Sequence, residues 1–97
     1  MSKSITVLLV DDHQIVRVGF RRLIETTSDI RVLAEAQSGE ESYQLAHDLR
    51  PDVIIMDIQM PGMNGYDATR AIMEKCPVPI IIHSTLVAPE HTENIFK

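Results

Sequence analysis

The residues with the clearest chemical potential are polar side chains standing where apolar runs stop. Asp11-Asp12 follow "ITVLLV" (5–10), Asp57 follows "DVIIM" (52–56), and Ser84-Thr85 stand at the end of "PIIIHS" (79–84). A carboxylate closing a buried strand is costly unless it is paired or hydrogen-bonded. Three carboxylates brought close raise one another's pKa and destabilise the fold unless a cation offsets them. With oxygen donors throughout, and no cysteine or imidazole clearly placed to coordinate, a hard divalent ion fits best; Mg²⁺ is the natural candidate. An aspartate held beside such an ion can act as a nucleophile toward phosphorus and form an aspartyl phosphate. Each residue alone also has a plain structural role. Asp11-Asp12 suit a helix cap, Asp57 suits a turn before Pro61-Gly62, and Ser84-Thr85 can simply end a strand. Only the combination favours chemistry.

That combination requires elements that bring the three strand ends together. "ITVLLV" reads as a short β-branched strand. "HQIVRVGFRRLIETT" (13–27) places Val16, Phe20, Leu23 and Ile24 on one helical face, with Arg17, Arg21 and Arg22 elsewhere. "IRVLAEA" (30–36) mostly alternates, with Ile30, Val32, Ala34 and Ala36 on one side and Arg31 and Glu35 among those on the other, as expected of a strand with one wet face. Ser38 and Glu41 form a capping box for a second helix running to Arg50-Pro51. A third strand covers 52–56, and a third helix opens at Asn64-Gly65, carries Ile72 and Met73 inward, and stops before Pro77. The fourth strand covers 79–84, and Pro89 suits the first turn of a fourth helix.

Strict alternation of strand and helix predicts an α/β fold, a doubly wound parallel sheet with helices on both faces. Ligands bind such sheets beyond the carboxyl ends of the strands. Strand four is too apolar for an exposed edge. A further strand is therefore expected beside residues 79–84, and the chain reads as an incomplete single domain spanning 1–97.

Composition narrows the function. Apolar residues make up 44% of the 97 residues, ordinary for a folded domain. The net charge is −5 with no basic run, which argues against direct binding of nucleic acid. No apolar stretch approaches a membrane span, and "MSKSI" leaves no room for a signal peptide before the first strand. Cys76, the single cysteine, reads as a reduced, packed thiol. A cytoplasmic location is expected.

Taken together, "VLLVDDH", "PDVIIMDIQMPGMNG" and "VPIIIHST" resemble the receiver domain of bacterial two-component response regulators, in order and spacing over nearly the whole chain. The resemblance implies a flavodoxin-like sheet of order 2-1-3-4-5, here 2-1-3-4 with the fifth strand and last helix missing. It implies that Asp57 accepts a phosphoryl group from a sensor histidine kinase. It further implies that Asp12 binds Mg²⁺ directly, that Asp11 acts largely through water, that Gln59 supplies a backbone carbonyl to the metal, and that the Ser84 hydroxyl, with Thr85 beside it, turns toward the phosphoryl group. No residue matches the family's fifth-strand lysine or aromatic switch residue, so the approximately two negative charges of a phosphoryl group would rest on Mg²⁺, Ser84 and backbone N–H groups. "VDDHQIVRVGFRRLIE" resembles regulators with a helix-turn-helix output, and "CPVPIIIHSTLV" resembles receivers of chemotaxis methylesterases. Either output would lie outside this chain, which is not itself expected to be an enzyme.

Other residues read plainly. His13, in the first turn of a helix, is expected to face solvent. Alternation turns His83 away from Ser84 and into packing. A different class of reading treats the chain as a chemically inactive association module, pairing or swapping through the bare fourth strand and the apolar end "NIFK". A magnesium-dependent phosphatase fits less well, because Gln59 stands where such enzymes carry a second aspartate.

Overall fold

The structure, a computed structural model, describes residues 4–84. Seven elements alternate: β1 (Ile5–Val10), α1 (Gln14–Ile24), β2 (Ile30–Ala36), α2 (Gly39–Leu49), β3 (Val53–Asp57), α3 (Gly65–Lys75) and β4 (Ile80–His83). All strand pairs are parallel, and the order is β2-β1-β3-β4. The expected flavodoxin-like order is thus present. Thr85 and the helix expected from Pro89 lie outside the described residues.

Burial explains the layers. Leu8, Val10, Ile54 and Met56 pack under Ala46 of α2 and Ala68 and Ile72 of α3. The alternate residues Val7 and Leu9 face Phe20 and Ile24 of α1, together with Val53 and Ile55. Both faces of β1 and β3 are therefore covered, which is why these strands read as continuous apolar runs. From β1 the chain steps outward to β2, then returns to the other side for β3. The order reverses between β1 and β3, where such sheets form their ligand crevice.

The local signals act largely as expected. The Ser38 hydroxyl accepts from Glu41 N at 3.1 Å, while Glu41 Oε1 reaches back to the amide of Gln37, one residue before the cap, at 2.7 Å. Asn64 Oδ1 accepts from Asp67 N at 2.9 Å and caps α3.

Several expectations are corrected. The register of β1 on β2 slips between Val7 and Leu8, pairing Val7 with Val32 and Leu8 with Ala34. This bulge at Leu33 sends Ile30 and Val32 to the α1 face but Ala34 and Ala36 to the opposite face. The alternation of β2 therefore does not place those four residues on one side. It also aims Glu35, opposite Leu9, toward α1. Helix α1 is shorter than 13–27, Leu23 is 73% exposed, and Met73 points outward at 47%. Arg17 is buried instead. The third strand extends through Asp57 itself. Among the described residues β4 is an outer strand, with Ile81 58% and Ile82 37% exposed.

Candidate active site

Three strands aim the site. Residues 7 and 9 of β1 face α1, so Asp11, next but one, continues that side; Val53 and Ile55 carry Asp57 to the same side. Both carboxylates are buried, at 2% and 0% exposure. His83 pairs in register with Asp57, and its carbonyl accepts from Ile58 N at 2.9 Å, bringing the end of β4 and half-buried Ser84 alongside.

The loop after β1 adds the remaining polar groups. His13 occupies the N-cap of α1 but makes no side-chain cap, so neither Asp11 nor Asp12 is the cap residue. The carboxylate of Asp11 instead accepts from the backbone and the ring of its neighbour: His13 N lies 2.8 Å and His13 Nδ1 2.9 Å from Asp11 Oδ1. His13 Nδ1 also approaches Asp12 Oδ1 at 3.0 Å. One N–H can serve only one acceptor well. With the proton on Asp11, Asp12 Oδ1 has no hydrogen-bond partner, and neither does Asp11 Oδ2. The hydrogen bond to Asp11, with the negative charge of Asp12 and Asp57, raises the His13 pKa above 6.5.

One donor atom each from Asp11, Asp12, His13 and Asp57 lie within 4.8 Å of one another. His13 keeps the expected exposure, its side chain 39% exposed, yet its Nδ1 turns to the two carboxylates beside it. A second imidazole also reaches Asp11, His83 Nε2 standing 3.7 Å from Oδ2, with its ring 5.1 Å from that of Phe20. Gln59 N donates to Asp57 Oδ1 at 3.3 Å, which fixes one edge of that carboxylate. Converging carboxylates with buried, unpartnered oxygens are the donor set a divalent cation satisfies.

The model of the response regulator receiver domain matches residues 7–97. The chain belongs to this family. Its similarity to Transcriptional regulatory protein YdfI of Bacillus subtilis is 47% identity, over 81% of this chain and 37% of that protein. Protein-glutamate methylesterase/protein-glutamine glutaminase 2 of Methanospirillum hungatei is 48% identical, over 96% of this chain and 27% of that protein. The chain thus spans 27–37% of these relatives' length. Among solved structures, the response regulator domain of CheB from Thermotoga maritima superposes with a TM-score of 0.84 at 38% identity, covering 96% of this chain and 69% of that one. A two-component response regulator of the LuxR family from Aurantimonas superposes with a TM-score of 0.81 at 37% identity, covering 97% and 68%. The relatives thus include both a transcriptional regulatory protein and a protein-glutamate methylesterase. Among the described residues no helix is long and apolar enough to cross a membrane.

Three supports of this receiver site escape a reading of the sequence. Arg17 Nη1 donates to the Asp11 carbonyl at 2.5 Å while its Nε holds Glu35 Oε1 at 2.9 Å. Arg21 Nε takes the other Glu35 oxygen at 2.8 Å. The i,i+4 arginines were visible, but not the bulge that aims Glu35 at them. Gly65 packs against the end of β3: a Cβ there would run into the Asp57 carbonyl and lie 2.8 Å from Ile58 Cα, and Gly65 N donates to Ile58 O at 2.8 Å. Gly39 likewise faces Met63, where a Cβ would meet the Met63 Cβ at 2.9 Å. Gly65 reads in sequence as a helix opening, without the close approach that requires it, and Gly39 carries no such signal.

Proposed function

We propose that this receiver takes a phosphoryl group onto Asp57 from a sensor histidine kinase, in a Mg²⁺-dependent reaction, and passes the signal to an output outside the chain. The observation that carries the proposal is the burial of Asp57 at the switch point beside Asp11 and Asp12, whose carboxylates retain unpartnered oxygens. Asp11, Asp12 and Asp57, with the backbone carbonyl of Gln59, would hold the ion. Bound there, Mg²⁺ would neutralise the clustered carboxylates and the incoming phosphoryl oxygens.

The chain's own groups do the rest. An Asp57 carboxylate oxygen attacks phosphorus; an O–P bond forms, and the bond from phosphorus to the donor's imidazole nitrogen breaks, returning its electron pair to that nitrogen. The product is an acyl phosphate, with no proton required on the nucleophile. The Gln59 amide orients the carboxylate through Oδ1, and the Ser84 hydroxyl donates to a phosphoryl oxygen, with Thr85 adjacent. The loop holding Pro61 and Gly62 (φ 74°) carries the chain from Asp57 back to α3.

Acetyl phosphate serves as a small-molecule donor for the test. Intact mass should show uptake of one phosphoryl group with Mg²⁺, no uptake with chelator, and none in Asp57→Asn, whose circular dichroism should match wild type. Uptake that persists in Asp57→Asn refutes the assignment.

A further inference from the structure

We propose that His13 is a nitrogen ligand of the acidic pocket, so that the site accepts a borderline transition dication of the Zn²⁺ or Cu²⁺ class through a donor set that Mg²⁺ does not use. The inference rests on the metal-binding reading of the same pocket and concerns its ion preference.

The geometry points to ligation in three ways. First, His13 Nδ1 stands 2.9 Å from Asp11 Oδ1 and 3.0 Å from Asp12 Oδ1. Adjacent ligands on an octahedral ion with bonds of about 2.1 Å are themselves about 3.0 Å apart. His13 Nδ1 therefore already stands at the spacing of a coordinated donor from each of the two carboxylate oxygens. Second, the Asp11 side chain is 97% buried (3% exposed), yet its Oδ2 has no hydrogen-bond partner. That oxygen remains available to an ion even when Oδ1 is held by the His13 amide. Third, Asp57 also places a carboxylate oxygen within the same 4.8 Å cluster, so four residues from three parts of the site converge.

Donor chemistry then decides the ion class. Carboxylates and water suit Mg²⁺, whereas an imidazole adds little for so hard an ion and much for Zn²⁺. On coordination the Nδ1 proton that now bridges to Asp11 leaves to solvent, and the ring keeps its Nε2 proton. His83 Nε2 stands 3.7 Å from Asp11 Oδ2, beyond hydrogen-bond distance, and does not join the cluster.

The test compares Zn²⁺ and Mg²⁺ affinity by calorimetry in wild type, His13→Gln and His83→Ala. Glutamine keeps an N–H for Asp11 but removes the imidazole. His13→Gln should weaken Zn²⁺ by at least about tenfold and leave Mg²⁺ affinity unchanged. Pulsed EPR of the Cu²⁺-loaded chain should show coupling to a directly bound ¹⁴N that disappears in His13→Gln and persists in His83→Ala. An equal loss for both ions, no loss for either, or a ¹⁴N signal surviving in His13→Gln would overturn the proposal. Failure of wild type to bind Mg²⁺ at all would instead count against the phosphoacceptor reading, with His13 still judged on Zn²⁺.

Discussion

At the scale of single residues, the site depends on atoms whose importance differs from their visibility. Asp57 and Asp11 are legible in the sequence because a carboxylate interrupts an apolar run, and burying one there demands a reason. His13 is not, since a histidine at the start of a helix ordinarily points to water; here its Nδ1 turns to the two carboxylates beside it. Gly65 looks like half of an Asn-Gly turn, but it is needed because the carbonyl of Asp57 occupies the space of a side chain. Gly65→Ala should therefore cost about 1–3 kcal/mol in urea unfolding and slow phosphoryl uptake by displacing the end of β3. A variant with wild-type stability and uptake would show that the β3–α3 junction yields without consequence.

At the scale of elements, α1 and β2 are clasped by Glu35 between Arg17 and Arg21. The sequence conceals this clasp. The pattern of "IRVLAEA" mostly alternates; its one departure, apolar Leu33 on the side of Arg31 and Glu35, falls at the extra residue that moves half the strand to the other face, but does not by itself announce a bulge. Arg17 reads as a surface residue because its type is polar, yet its stem is buried and its guanidinium reaches the Asp11 carbonyl. The clasp has a pH signature. Partial burial alone would raise the Glu35 pKa, but the hydrogen bonds from Arg21 and Arg17 outweigh it and hold the pKa below 4.5. The folded state thus favours the ionised form. Its contribution is present above the unfolded pKa near 4.5 and is lost as pH falls through the lower folded value. Glu35→Gln should unfold at a lower urea concentration than wild type at neutral pH, and the gap should narrow steadily below pH 4.5. A gap independent of pH would show that the clasp acts by shape alone.

At the scale of the molecule, strand order and layering follow from the alternation of short apolar runs with amphipathic helices, which parallel pairing and right-handed crossovers convert into few arrangements. The sequence also indicates that "PIIIH" is ill suited to an edge, and β4 is an outer strand among the described residues, with Ile81 and Ile82 exposed. Such a strand offers unpaired backbone groups flanked by apolar side chains, a template for another strand. The 97-residue chain should therefore self-associate with rising concentration in sedimentation velocity, and Ile81→Lys should weaken that association. A wild-type chain that stays monomeric at high concentration would contradict this. The other side of the same strand borders the site, since Ile58 N bonds the carbonyl of His83. Association through β4 and chemistry at Asp57 are thus expected to influence one another.

The most direct measurement is to find which side chain carries the phosphoryl group. After incubation with acetyl phosphate and Mg²⁺, borohydride reduces an aspartyl phosphate to homoserine, and peptide mass mapping locates it. The account predicts homoserine at position 57 alone, absent when Mg²⁺ is withheld. Conversion at position 11 or 12, or at 57 irrespective of Mg²⁺, would contradict it.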